Sequence, residues 1–428
     1  MTFERQKKGG YLSPKRYARA FAADGSRAQS VKRPIGRAVF ILAAVVCFLL
    51  IPLLIMLDLR TDPELAEWWT RNIEAGWERA IGTLTSWIPF SVTEFFIVCL
   101  VGLGIFFYVR LIINLGRVKL KRILIGALSI AVGVIYMFNL YVLSMAFAYY
   151  RDEMPIPQSE SQYDAQSIIP VVEYFLSDFN HLSETLERDK NGCVECPYTF
   201  SELAERIKVE YAKLTDPYFC QYTPMAKPVV NSWFMSSMLI TGMTFLPTGE
   251  STVNNAAPPT TRTMTLAHEL AHAKGVFREG DANLLARYIL LSSDDGYLRY
   301  CGYYYTFDNL LEAFLLNEDV DSYTDFYFRL SRKIYPERKF SNDYWASQPD
   351  IIGNIAEFFN DLYLKLNGAQ NGTGSYGDGN QSNVVTPTDP STGEPERDPE
   401  TDKPVRIIYY SQVQKMFFAI YESKNNIN

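Results

Sequence analysis

Three uncharged apolar runs in the first third of the sequence constrain this chain more than any other feature. Residues 38–57 carry no charge and are long enough to cross a bilayer as a helix. Residues 123–150 form a longer run, which must tilt or continue past the membrane surface. Residues 95–109 are short, but Arg110 can snorkel and extend that span to Leu115. A buried core helix is the alternative for this middle run. The segment before the first run is too long for a signal n-region, and no small-residue cleavage site follows Leu57. The run therefore reads as a retained anchor, and the lipid bilayer as the first partner.

Charge supplies an orientation. Residues 1–37 hold ten Lys and Arg against Glu4 and Asp24, and residues 110–122 hold five basic groups and no acid. The loop 58–91 reverses the balance, with three basic residues and six acidic ones. Basic flanks stay in the cytoplasm, so the N-terminus is expected inside and everything after Arg151 outside. That outer segment is net acidic, which argues against nucleic acid or anionic lipid as the main partner. Cys47 and Cys99 sit in the apolar runs, and Cys193, Cys196, Cys220 and Cys301 lie beyond them. Four cysteines in an oxidising compartment can form two disulfides or stay free. Cys193-x-x-Cys196 can also be a redox pair or half of a zinc site, although no second such pair completes a zinc ribbon.

The loop 58–91 has an amphipathic pattern. Asp62-Pro63 is a helix start. Trp69, Ile73 and Trp77 recur at helical spacing, with Glu67, Glu74 and Glu78 on other faces. Such a helix suits the membrane interface or packs on the outer domain. Beyond Arg151 the pattern is mainly helical. Thr199-x-x-Glu202 is a capping box opening a helix to about Leu214. Residues 238–246 read as an extended stretch ended by Pro247-Thr-Gly249. Residues 367–404 are rich in Gly, Asn, Ser, Thr, Pro and acids, and read as a flexible linker or insertion. An apolar, aromatic pattern resumes at 405 and is expected to pack back on the domain.

The chemistry is concentrated in His268-Glu-Leu-Ala-His272, which uses two of only three histidines in the chain. Spacing of i and i+4 puts both imidazoles on one helix face, where they can bind one Zn²⁺. Glu269 sits beside them and can move a proton as general base and acid. Pro258 and Pro259 precede the helix, Thr260 or Thr261 can cap it, and Gly275 can end it. A catalytic site needs a third protein ligand while leaving one position open. Glu279 and Asp281, at the start of the next helix (Glu279 to about Leu291), are both candidates. Glu279 is favoured for its longer reach, with Asp281 suited to capping or to supporting a ligand. His181 is remote and reads as a surface residue.

The run Ala267-His-Glu-Leu-Ala-His-Ala-Lys-Gly275, followed by Arg278-Glu279-x-Asp-Ala-Asn283, resembles a bacterial family of uncharacterised membrane proteins, a domain of unknown function grouped with zincin-like metallopeptidases. Ala148-Tyr149-Tyr150-Arg151 and Gly242-Met-Thr-Phe245-Leu-Pro247-Thr-Gly249-Glu250 belong to the same resemblance, which spans roughly residues 35 to 366 and the final apolar segment. Glu279-x-x-Ala282-Asn283 is similar to the E-x-x-A-D helix of membrane zincins whose third ligand is that Glu. It departs in its shorter gap from the histidines, and Asp281 stands where the family tends to have Glu.

The resemblance implies an α-helical membrane anchor of three transmembrane helices, followed by a mainly α, α+β zincin-like extracytoplasmic domain with a small edge-strand sheet. The expected divisions are a basic cytoplasmic tail (1–37), a membrane region with an interfacial helix (38–150), a metallopeptidase domain (151–366), a linker (367–404) and a C-terminal segment (405–428). By the same analogy residues 238–246 would be the edge strand that binds peptide by β-augmentation, with Thr244 and Phe245 touching substrate. Tyr303, Tyr304 and Tyr305 are candidates for an oxyanion donor, although core packing suits each of them better. The expected function is zinc-dependent hydrolysis of peptide bonds in extracytoplasmic proteins or peptides at a bacterial cell membrane. The alternative is a membrane-tethered zinc-binding sensor or scaffold without turnover.

The orientation is directly measurable. Single cysteines introduced within residues 160–350 should react with a membrane-impermeant reagent in intact cells, and protection there would reverse the expected topology.

Overall fold

The computed structural model describes residues 34–117, 119–399 and 402–425. Nearly all of the basic tail expected at 1–37 thus lies outside the described residues. The chain divides into two compact units, Met1–Pro52 with Gly102–Met137, and Leu53–Val101 with Phe138–Asn428. The division therefore does not fall at Arg151, since the loop after the first apolar run belongs with the large unit.

The smaller unit contains parts of three helices, α1 (Pro34–Leu59), α4 (Val92–Gly116) and α5 (Leu120–Tyr141). Each is long and apolar enough to span a membrane, over Gly36–Leu59, Val92–Gly116 and Leu120–Tyr150. Almost none of their residues are buried, including those of the middle helix, so the alternative of a buried core helix is set aside there. The third run continues past the end of α5 as a π-turn and a 3-10 turn. There Val142 and Ser144 to Tyr149 become buried in the larger unit.

That larger unit is mostly helical, with two small sheets. Asp62 caps α2 (Pro63–Trp69), which runs through a π-turn into α3 (Ala75–Ser86). The periodic pattern leaves open which face is covered. Glu74 and Glu78 are buried, whereas Trp68 and Trp87 are exposed. Specific polar partners explain the burial of the acids. The Glu74 carboxylate accepts from Phe147 N at 3.1 Å and Thr70 Oγ1 at 2.8 Å, and Glu78 lies in the field of buried Lys274. Trp77 Nε1 donates to Leu246 O at 2.9 Å, which fixes this helix to the domain.

The core is an aromatic helical stack. The capping box of Asp164 and Ser167 starts α6 (Ala165–Thr185), and that of Thr199 and Glu202 starts α7 (Phe200–Tyr211). α6 packs on α11 (Gly296–Leu316) through Phe175, Phe179, Tyr300 and Tyr303. The C-terminal helix α15 (Gln412–Asn425) adds Phe417 to the same cluster. Tyr303 and Tyr305 spend their hydroxyls on Asp178 and Thr261. Cys193, Cys196, Cys220 and Cys301 are all free thiols, so neither disulfide is formed.

A three-stranded sheet lies over the helix that carries the histidines. Its order is β1 (Lys227–Pro228), β3 (Glu250–Val253), β2 (Gly242–Phe245), with β1 parallel and β2 antiparallel to β3. The expected strand at 238–246 is shorter, because Asn231 caps a small helix α8 (Ser232–Ser237) whose last turn takes up Met238. Leu239 then reverses the chain at φ 57°. Gly249, at φ 63°, is pressed against Gly82 of α3, where a Cβ would lie 2.4 Å from Gly82 N.

Burial of Glu74 has a measurable consequence. Desolvation raises its carboxyl from 4.5 to about 8, against its hydrogen bonds from Thr70 and Phe147. Between those values the folded chain keeps a proton that the unfolded chain has released. This contribution is therefore complete below pH 4.5 and is lost as pH rises towards 8, by at most about 1.4 kcal/mol per pH unit. Glu74→Gln should match the wild type near pH 4.5 and melt at a higher temperature at pH 8. Parallel melts across that range check the sign.

Candidate metal centre

The histidine helix, α9 (Pro259–Ala273), is enclosed on all sides, with thirteen of its fifteen residues buried. Pro258 is its N-cap and no side chain caps it, so the expected threonine cap is absent. Thr260 Oγ1 is buried without a partner, and Thr261 accepts from Tyr305 instead. Gly275 ends the helix at φ 82°, where a Cβ would meet the Arg151 guanidinium at 2.6 Å. The chain reverses and Arg278 N-caps α10 (Glu279–Leu291), which packs along α9.

This turn brings Glu279 to the histidines. One ligand atom each from His268, His272 and Glu279 lies within 4.8 Å of the others. Glu279 Oε2 is 3.1 Å from His268 Nε2 and 3.6 Å from His272 Nε2. It meets neither in hydrogen-bond geometry and is a buried oxygen without a hydrogen-bond partner. Asp281 is engaged elsewhere, accepting from Arg278 Nε at 2.6 Å. His181 is exposed and outside the cluster.

The outer nitrogens of the imidazoles are also accounted for. His272 Nδ1 faces Val276 O at 2.7 Å, and a carbonyl can only accept, so this nitrogen carries the proton. Asn283 Nδ2 donates to Tyr376 O at 2.9 Å, which leaves Asn283 Oδ1 to accept from His268 Nδ1 at 2.9 Å. In these tautomers both Nε2 atoms present lone pairs to the Glu279 carboxylate. With both imidazoles neutral, three electron-rich atoms face one another at this point, which is a fit for a cation. Two imidazoles and one carboxylate match a catalytic zinc set that keeps a fourth position open.

Electrostatics differ among the acids. Burial acts to raise the Glu279 carboxyl, but where the imidazoles are protonated their positive charge outweighs it and holds the acid below its ordinary value, and Glu279 in turn raises His268. Burial pushes Glu269 up to about 7, partly offset by His268 and the Thr244 hydroxyl. Thr244 Oγ1 lies 2.8 Å from Glu269 Oε2 and 2.8 Å from Glu269 O, so its hydroxyl faces the acid on α9. Phe245 points the other way and packs near Phe96, with ring centroids 6.0 Å apart. Neither side chain is thus disposed as the analogy with a substrate-binding strand expects.

Several contributors escape sequence reasoning. Gly242 lets β2 cross Glu269 closely, because a Cβ there would sit 2.5 Å from Glu269 Oε1. Asn283 orients His268, and its place in the quoted run was the only signal. Tyr376 comes from residues 367–404, read as a linker, and its ring lies 6.3 Å from that of His268. Arg287 hydrogen-bonds Asn380 from the same stretch. The start of that segment is therefore part of the site's surroundings, because its polar groups find partners on α10. Tyr303, Tyr304 and Tyr305 all lie on α11, packed in or against the core.

Residues 69–379 match the family described as "Protein of unknown function (DUF3810)", and the chain belongs to that family. The match includes the whole histidine–glutamate cluster and runs on through Tyr376. No curated protein and no solved structure matches the chain.

The geometry separates the candidate ligands. Zinc titrations of the purified protein should show Glu279→Ala losing the metal as severely as His272→Ala. Asn283→Ala should cost roughly ten- to a hundredfold in affinity through His268, and Asp281→Ala less than that. Stoichiometric zinc in Glu279→Ala would remove it from the ligand set.

Proposed function

We propose that this protein is a membrane-anchored zinc-dependent metallopeptidase of the zincin type, hydrolysing peptide bonds in extracytoplasmic proteins or peptides. The observation that carries the reading is the convergence of His268, His272 and Glu279, with Glu269 beside them and outside the ligand set. Zn²⁺ held by those three side chains would supply Lewis acidity, polarising the scissile carbonyl and acidifying a water. Glu269 accepts the proton of the attacking water and passes it to the leaving amine. Thr244 holds one oxygen of that carboxylate, which fixes its rotamer and leaves Oε1 for proton transfer. Asn283 and the Val276 carbonyl keep the imidazoles in the metal-binding tautomer.

A cavity of about 690 Å³ reaches Glu279, with Arg278, Tyr149, Tyr150 and Thr61 among its other walls. Its size suits a few residues of an extended peptide. In the proposed topology the N-terminus is cytoplasmic and the large unit extracytoplasmic, in a bacterial cell membrane. Without turnover the same cluster would describe a membrane-tethered zinc-binding sensor or scaffold.

Glu269→Gln distinguishes the two. The amide keeps size and polarity but cannot take a proton, so zinc content should equal that of the wild type. Peptide hydrolysis by the wild type should be abolished by a chelator and restored by zinc. It should fall by at least about a hundredfold in the variant, the lower range of general acid–base assistance. Turnover indifferent to Glu269→Gln would refute the mechanism, and a zinc-loaded wild type inert towards a broad peptide library would favour the sensor.

A further inference from the structure

A helix on a water-soluble domain turns its apolar face inward and its charges outward. The helix α14 (Asp350–Leu366) buries Leu364 but also leaves a second apolar face uncovered. Ile355, Phe358, Phe359 and Leu362 share one side and are exposed, the two phenylalanines by 64% and 62%. Glu357, Asp361 and Lys365 lie on the opposite side. Glu357 and Lys365 are exposed to solvent, and the helix meets protein through Gly353, Leu364 and Asp361, whose Oδ1 accepts from Thr373 N at 3.1 Å. The neighbouring helix α8 behaves similarly, with Trp233 67% exposed and Val230, just before it, 80% exposed. The two helices touch where Gly353 leaves room for Leu239.

Both elements are fastened to the ends of membrane-spanning candidates. The Glu94 carboxylate, in the first turn of α4, accepts from Val230 N at 2.7 Å and Asn231 N at 2.9 Å. Arg60, the residue after α1, donates to Asn367 Oδ1 at 2.9 Å and Leu366 O at 2.7 Å, at the C-terminus of α14. The apolar faces are therefore tied to the points at which two apolar helices end or begin. A peripheral protein partner would have no reason to be centred there, whereas a lipid surface must be.

We propose that the apolar faces of α14 and α8 lie in the headgroup–acyl boundary of the bilayer crossed by the three apolar helices. This depends on the membrane reading of those helices and not on the metallopeptidase reading. The segment following α14 carries Tyr376 to the His268 ring, so the metal centre is held close to the lipid surface. A substrate reaching it is then a peptide segment near the membrane rather than one deep in bulk solution.

The test uses the full chain with Cys47→Ala and Cys99→Ala, reconstituted into phosphatidylethanolamine–phosphatidylglycerol vesicles. An environment-sensitive fluorophore is attached at Phe358→Cys, Phe359→Cys or, on the opposite side, Glu357→Cys. Labels at 358 and 359 should be quenched by spin-labelled lipids, at a depth of about 5–10 Å into the boundary. The label at 357 should instead be quenched by aqueous iodide. Iodide quenching at 358 and 359 equal to that at 357 would overturn the proposal. Shielding of these positions from both lipid and iodide would overturn it too, assigning the face to a second copy of the chain.

Discussion

Burial of a polar helix is the constraint from which the rest of the large unit follows. α9 is enclosed like a core helix, yet it carries threonines, two histidines and a glutamate. An unpaired buried polar group costs about 1–3 kcal/mol, so the neighbours of α9 are chosen by what its polar atoms need. Tyr211 of α7 donates to Ala267 O, Ser251 of the sheet donates to Glu269 O, and Thr244 faces Glu269 Oε2. Thr263 pairs with Tyr297 of α11, and Asn283 of α10 takes His268. Four elements distant in sequence thereby acquire fixed positions around one helix. What remains unsatisfied is informative, for Glu279 Oε2 is left facing two imidazole lone pairs.

How much of this was legible depends on range. The two histidines sit at i and i+4 with Glu269 beside them on the same helix, so the common face of the imidazoles follows from helical geometry alone. Glu279 was within reach of the same reasoning, since Gly275 marks a reversal and the next helix starts four residues later. The capping boxes and the apolar runs are equally local. The burial of Glu74 and Glu78 was not legible, because a periodic pattern reveals two faces but not which one is covered. Here the covering groups, Phe147 N and Lys274, come from far along the chain. Thr244 is a related case. A strand reading gives alternation, and only the register over α9 reveals that its hydroxyl meets Glu269. Residues 367–380 misled by composition, since polar residues that cannot build a core can still pair with the polar atoms of α10.

The same physics links the apolar helices to the metal centre. Arg151 follows the third apolar run and is almost fully buried. Its Nε and Nη2 donate to Glu67 of α2 at 2.7 and 2.9 Å, and Nη1 donates to Gly275 O at 2.9 Å. The guanidinium also stacks over the Tyr218 ring at 3.7 Å. One side chain thus clamps the loop after the first apolar run to the turn between the histidine helix and the glutamate helix. A planar fork with five donors can hold three such partners at once, which a lysine ammonium on a flexible stem could not.

This clamp explains why the unit boundary does not fall at Arg151. A chain beginning there would lack Glu67 and the helices that carry Glu74 and Glu78, leaving a buried guanidinium without its counter-charge. Glu67 is itself only partly buried, so the cost falls below the about 3–5 kcal/mol typical of a fully buried pair, yet it still weighs on the small net stability of a domain. The loss would also fall on the turn that sets the distance from His272 to Glu279. The helix α2 is therefore part of the frame of the candidate metal centre, and a unit cut free at the end of the third apolar run would lose both stability and the alignment of Glu279 with the histidines.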